Sequence, residues 1–409
     1  MSDCQYSGST DGNPQRQVAW RPAAVATAAL VAALIGAPSA ASADEGGGPT
    51  FTWGGYVKFD AIYNTTGRDV GPGGSDLGDY FLVPHLIPID GQAEDGGGFN
   101  LNARESRFWL KTELDTDHGP FETYIELDLY GLSASLGDER ITNSSSVRVR
   151  HAYGKLGGFM LGQYWSTFMD LAALPEKLDF GTPAGRVFAR QAMIRYTHPL
   201  SSGSLDVALE NPETTLTAGD GTNVTRDDDL VPDVIVRYTH KGDGYHVSAA
   251  AMGRALISDA SGDTELGVGV AGRVSGRVDT IGKDNFKLAV NGGLGLGRYI
   301  ALNAYTAGAI DVDGSIAPTP LIGAHTSYQH WWSETTRSSL VLSYSQAFND
   351  TDLVPESVNK SLLTVHANLC WNPVAAVRVG VEAIYAQHTL ESGDSGDLIR
   401  AQGSVRYVF

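Results

Sequence analysis

The chain has 409 residues, 42% of them hydrophobic and 19% charged, with 49 Gly and 17 Tyr. Such a polar chain, rich in glycine and aromatics, is neither a disordered segment nor an ordinary helical globule. Its formal net charge of -18 argues against a nucleic-acid partner, because phosphate neutralisation needs clustered Lys and Arg.

The N-terminal segment assigns the compartment. Arg16 and Arg21 precede an uncharged stretch, Ala23 to Ala37, which leads to Ala41-Ser42-Ala43, an A-x-A cleavage pattern ahead of Asp44. Residues 22–43 are nearly long enough for a retained anchor, but their alanine-dominated composition and small-residue site favour a cleaved signal peptide over residues 1–43. A short lead, 44–50, then precedes a domain over 51–409. Cys4 falls in the removed segment and leaves Cys370 alone, so no intrachain disulfide is expected.

From residue 51 onward the sequence alternates. In FETYIELDLY, Phe121, Thr123, Ile125, Leu127 and Leu129 share one face, against Glu122, Tyr124, Glu126, Asp128 and Tyr130. SSVRVRHAY sets Val147, Val149 and Tyr153 against Arg148 and Arg150, and PDVIVRYTH sets Val234, Val236 and Tyr238 against Asp233 and Arg237. Charges in this number do not fit the core of a sandwich. The pattern predicts sixteen strands, at 51–63, 100–114, 120–132, 146–156, 159–165, 187–199, 203–211, 231–240, 244–258, 264–279, 284–300, 319–331, 335–348, 360–371, 374–388 and 396–409. Connections alternate between longer polar segments, such as 64–99 and 301–318, and tight turns such as Gly157-Gly158 and Asn372-Pro373. The fold class that follows is all-β: a transmembrane antiparallel β-barrel of sixteen strands in the outer membrane of a Gram-negative bacterium.

A closed barrel explains the ending SVRYVF, which alternates to its last residue. The final strand must pair with the first, because an open edge in lipid leaves backbone groups unsatisfied at several kcal/mol each. Tyr407 and Phe409 then belong to the periplasmic aromatic girdle, as do Trp331, Trp332 and Trp371. An aromatic terminus of this kind resembles the signal read by the barrel assembly machinery.

GGYVKFDAIYN (54–64), NARESRFWLKTEL (102–114), RHAYGKLGGFMLGQYWSTFMD (150–170), RQAMIRYTHPL (190–200) and NLCWNPVAAVRVGVEAIY (368–385) resemble the DcaP-like family of outer-membrane porins. LGQYWSTFMD and the Asn-Pro turn hairpin are the more specific parts. The resemblance implies a sixteen-stranded barrel, a homotrimer, and a preference for small anionic solutes such as dicarboxylates. Some members carry an N-terminal coiled-coil extension; here only DEGGGPTFTW separates the cleavage site from the first strand, and no heptads support a stalk.

A channel's chemistry lies in the charges that line it. The even-numbered strands place Arg107, Lys111, Arg148, Arg150, Arg195 and Arg237 inward, as pore-lining basic residues on one half of the wall. The third outer loop, 166–186, leaves a strand of about seven residues, which suits a loop folded into the lumen. It carries Asp170, Glu176 and Asp179 as constriction acids, opposing the basic wall, with Arg186 and Arg190 at its exit nearest the narrowest point. Against this stands wall pairing, since Glu122, Glu126, Asp206 and Glu210 also face inward.

Other motifs fail in context. Gly393-Asp394-Ser395-Gly396 has no accompanying His and Asp setting, His151 and His366 lack a Ser partner, and Ile322 stands where a calcium loop begun at Asp311 needs its closing Glu. Gly293, Gly295 and Gly297 lack a dinucleotide context and are expected to give a smooth strand face. Neither a catalytic residue nor a cofactor nor a metal site is expected. Acidic outer loops, such as Asp227 to Asp229, are expected to be solvated, with contact to divalent cations near lipopolysaccharide as the alternative. The leading reading is a passive porin; the alternatives are a structural or adhesive barrel and an outer-membrane lipid hydrolase. A TonB-dependent transporter is not expected, for want of a plug-sized segment ahead of the barrel.

Overall fold

A computed structural model describes residues 48–65, 80–90, 97–131, 145–226, 229, 231–259 and 264–409; the signal segment with Cys4, and Asp227 and Asp228, lie outside them. The strands are β1 (Thr50–Asn64), β2 (Gly98–Asn102), β3 (Arg107–Leu114), β4 (Phe121–Gly131), β5 (Ser146–Leu156), β6 (Phe159–Trp165), β7 (Arg190–Leu200) and β8 (Gly203–Glu210). They continue as β9 (Thr214–Thr217), β10 (Asn223–Arg226), β11 (Asp233–Gly242), β12 (Tyr245–Ser258), β13 (Glu265–Asp279), β14 (Asn285–Leu294), β15 (Gly308–Ile310) and β16 (Ile316–Pro318). The last are β17 (Pro320–Trp331), β18 (Thr336–Ala347), β19 (Asn359–Val374), β20 (Val377–Leu390) and β21 (Ser395–Val408).

Among the described residues these form a closed antiparallel barrel of sixteen strands, with β2 and β3 as two halves of one strand, and β9, β10, β15 and β16 as a small separate sheet. Closure runs through β21, paired with β1 from Tyr56↔Val408 to Asn64↔Arg400. Phe409 donates its N–H to the Gly55 carbonyl at 3.1 Å, so the chain is paired to its last residue. The two faces separate as period-2 alternation requires: on β13 and β18, Val268, Val274 and Leu340 are exposed, while Arg273, Ser275 and Ser343 between them are buried.

Three departures from simple alternation matter for the site. The strand expected at 100–114 is interrupted at 103–106: Ser106 N–H bonds the Ala103 carbonyl at 3.1 Å, and Glu105 turns in to the Lys58 ammonium. A bulge in β5 sets Arg150 beside His151 without a ladder partner of its own, since Glu126 pairs His151 and Leu127 pairs Val149. Parity therefore flips, and Tyr153 stacks on inward-facing Tyr124 at 5.5 Å instead of sharing the face of Val147 and Val149. The strand expected to reach 300 ends at Leu294, because Gly295 and Gly297 take φ of 71° and 42° and turn the chain away. There is thus no smooth strand face at 293–297. The turned segment buries Leu296, Tyr299 and Ile300 against Phe168, Val187 and Met252.

Candidate functional site

Residues 166–189, between β6 and β7, form a loop with a closed neck: Ser166 N–H bonds the Ala189 carbonyl at 2.9 Å. From there the loop is bonded to inner-face side chains, strand after strand. Its carbonyls accept from Arg273 (Phe168, 3.0 Å), Arg237 (Met169, 2.6 Å), His325 (Ala173, 3.2 Å), Lys287 (Leu174, 2.6 Å) and Lys58 (Leu178, 2.6 Å). Its N–H groups donate to the Glu382 carboxylate from Leu178 and Asp179, to Thr364 from Ala184, and to Ser343 from Gly185. Gly185 permits this close approach, since a β-carbon there would lie 2.1 Å from the Tyr344 carbonyl oxygen.

The three loop acids belong to the same attachment. Asp170 accepts from His246 Nε2 at 2.9 Å and Ser275 Oγ at 2.7 Å. Burial pushes its carboxyl up, but those hydrogen bonds and the Arg273 charge outweigh it and leave it at about 2. Glu176 takes both Nε and Nη2 of Arg337 at 2.6 Å and Nη1 of Arg378 at 3.0 Å, and these charges hold it low against the opposing effect of burial. Asp179 accepts from Arg400 Nη1 at 2.9 Å and from the Leu82 N–H at 3.0 Å; burial is again outweighed, here by Lys177 and Arg400, and the carboxyl lies at about 2. All three are paired with side chains of β12, β13, β18, β20 and β21, not with the basic side chains of β3 to β7.

The loop's bonds therefore follow the inner face of β11 to β14, β17 to β21 and β1. Among the described residues, none of the hydrogen bonds made by 168–189 reaches β3 to β6. Contact there is through rings: Phe180 lies 4.6 Å from Tyr130, with the Arg148 and Arg150 guanidiniums 5.4 and 5.6 Å from its centroid.

The basic residues expected from sequence lie on β3, β5, β7, β11 and the end of the loop, in two sets. Five have carboxylate partners. Arg148 makes two bonds to Asp128 (2.9 and 2.7 Å), Arg150 bonds Glu126 (2.6 Å) and Asp128 (2.9 Å), and Arg107 lies 3.5 Å from Glu126. Lys111 pairs with Glu113 and Glu122, and Arg237 with Asp206 at 2.8 Å. Arg186, Arg190 and Arg195 have no carboxylate within ion-pair distance among the described residues. Each instead lies over an aromatic ring: Arg186 over Phe188 (5.0 Å), Arg190 over Trp165 (4.7 Å), Arg195 over Tyr164 (5.5 Å). A ring fixes a guanidinium plane without neutralising its charge and leaves N–H edges free for a carboxylate. Burial, then the repulsion of Arg273 and Arg150, pulls Arg186 down to about 9, still cationic at neutral pH.

Sequence reasoning missed Arg273, whose Nε and Nη2 are buried without a partner among the described residues, and the anchors Lys58, Arg337, Arg378 and Arg400. Strand parity places Arg273 inward with Ala271 and Ser275. The apolar inward residues Ile235 and Met252 were the available sign that something packs against the inner wall there.

The DcaP outer membrane protein family model matches residues 81–409. Comparison by sequence with curated proteins finds no match. Among solved structures, the outer membrane channel DcaP of Acinetobacter baumannii aligns at 21% identity with a TM-score of 0.76, over 88% of this chain and 98% of that one. The anion-selective porin from Comamonas acidovorans aligns at 11% identity and 0.57, over 88% and 100%. OmpT of Vibrio cholerae in its trimer form aligns at 11% and 0.54, over 89% and 100%.

Proposed function

This chain belongs to the DcaP outer membrane protein family and is a Gram-negative outer-membrane β-barrel, and on that premise we propose that it is a passive diffusion channel for small, preferentially anionic solutes of dicarboxylate type. Residues 166–189 act as an inward-folded constriction loop, and solute passes between the loop and the wall of β3 to β7. The observation that carries this reading is the set Arg186, Arg190 and Arg195, held over rings and lacking carboxylate partners among the described residues while their neighbours are paired. Guanidinium edges match carboxylate geometry, and neighbouring ones suit a solute with two carboxylates. The paired residues Arg107, Lys111, Arg148 and Arg150 set the background potential of the same wall, and Arg237 on β11 that of the strands that hold the loop. No chemical step is assigned to the protein.

The mature barrel works as a homotrimer surrounded by outer-membrane lipid and lipopolysaccharide, and Tyr407 and Phe409 are the part of its last strand read by the barrel assembly machinery. Single-channel conductance with a reversal potential in a KCl gradient tests the reading. A reversal potential of anion-selective sign is expected. A cation-selective sign, or folded barrels without conductance, overturns it.

A further inference from the structure

We propose that the outer mouth of the barrel holds a binding site for an uncharged, polyhydroxylated ring, a neutral saccharide, separate from the anion path. The site is a cavity of about 390 Å³ where four outer connections meet, those following β1, β8, β14 and β18. The small sheet joins two of them: β15 runs parallel to β9, and the Thr217 and Thr306 hydroxyls lie 2.8 Å apart.

The lining has the wrong chemistry for an anion and a suitable one for a sugar. Among the described residues it contains no Lys, Arg, Asp or Glu; its polar groups are amides and hydroxyls, such as Asn223, Asn303, Thr215 and Ser357. Amides and hydroxyls offer donors and acceptors together, as a ring of hydroxyl groups requires when it leaves water. Among the described residues the one titratable lining side chain besides Tyr305 is His85, whose Nδ1 is buried without a partner; burial, helped by nearby His388, pulls it down to about 4, so it is neutral. Leu86 and Val358 supply apolar contact for the C–H face of a ring.

Two further observations point to a ligand. The side chains of Asn223, Asn303 and Ser357 are exposed and make no hydrogen bond among the described residues, so their groups are available. Asn303 is also presented by a strained turn. Ala301, Leu302 and Asn303 take φ of 51°, 62° and 64°, three consecutive non-glycine residues in the left-handed region. Side chains other than Gly and Asn rarely take this conformation, and such strain concentrates at binding sites. The turn is held by Ala301 N–H on the Arg186 carbonyl (3.1 Å) and Ala304 N–H on that of Ile300 (3.3 Å).

The test uses purified barrel freed of lipopolysaccharide, in planar bilayers and by calorimetry, with two probes: maltose for a free saccharide, and an uncharged O-chain oligosaccharide cleaved from lipopolysaccharide for a membrane-borne one. At least one should bind and reduce the KCl current from the long-loop side only; which one does so identifies the source. The variant Asn223→Ala/Asn303→Gly/Ser357→Ala removes only groups without internal bonds, and glycine suits the left-handed position. It should keep its sugar-free conductance but need about tenfold more probe or greater for half-block, as loss of several hydrogen bonds implies. Ser357→Trp, which fills the cavity from an exposed position, should abolish the block. No binding of either probe, unchanged half-block in the triple variant, or equal sensitivity of succinate block to that variant overturns the site. Anion selectivity of the empty channel stands or falls separately.

Discussion

Replacing Arg186 and Arg190 with glutamine tests the channel reading most directly, because both lack carboxylate partners among the described residues and their loss should appear in permeation. At about 5 Å in water, one charge acts on a monovalent ion with about 0.8 kcal/mol, which screening over about 8 Å reduces to about 0.45. Two such charges give about 0.9 kcal/mol, a roughly fivefold change in local concentration for a monovalent anion and about twentyfold for a dianion. These are upper figures for the whole pore, since Arg150, Arg195 and Arg273 remain. The assay is reversal potential in a KCl gradient together with succinate uptake into liposomes, on variants shown to be folded by heat-modifiable gel mobility. Selectivity should move toward cations and succinate flux should fall more than that of a neutral sugar of similar size. Unchanged reversal potential and unchanged dianion flux in a folded double variant would refute the placement of these arginines at the narrowest point. An equal loss for neutral sugars would show that the opening had only changed shape.

Deleting Phe409 should cut the folded fraction far more than it alters conductance in the barrels that form, because its backbone completes the pairing with Gly55; normal folding of the deletion would count against an assembly role. Glu176→Gln should loosen the loop by removing the charge shared by Arg337 and Arg378, at less than the ~3–5 kcal/mol of breaking a fully buried pair. Single-channel recordings should then show more frequent flicker, and a quiet channel would show that Glu176 is not a tether. Asp170 and Asp179 have carboxyls lowered to about 2 from an ordinary ~3.9, so their stabilisation is present above about pH 4 and is lost as pH falls toward 2. Current noise should therefore stay flat from pH 7 to about 4 and rise below it; a transition centred near neutral pH would assign loop movement to other groups.

Much of the barrel is local information. A strand places successive side chains on opposite faces, so Val268 and Arg273 could be assigned to lipid and lumen from spacing alone, and turn lengths told one rim from the other. The inward position of Arg107, Arg148, Arg195 and Arg237 was legible for the same reason. What each arginine does was not. Arg237 meets Asp206 and Arg195 meets a tyrosine ring although both face the lumen, and the difference lies in cross-strand register and a loop 166–189 laid against distant strands. The β5 bulge that turns Tyr153 inward and the glycine turn that ends β14 early both break a period of two without an insertion visible in the residue count. Glu176 bonds Arg337 across 161 residues. Parity decides only which face a side chain takes; its partner is set by which segments close the barrel and which strands a loop is bonded to, because pairing energies act across space and not along the chain.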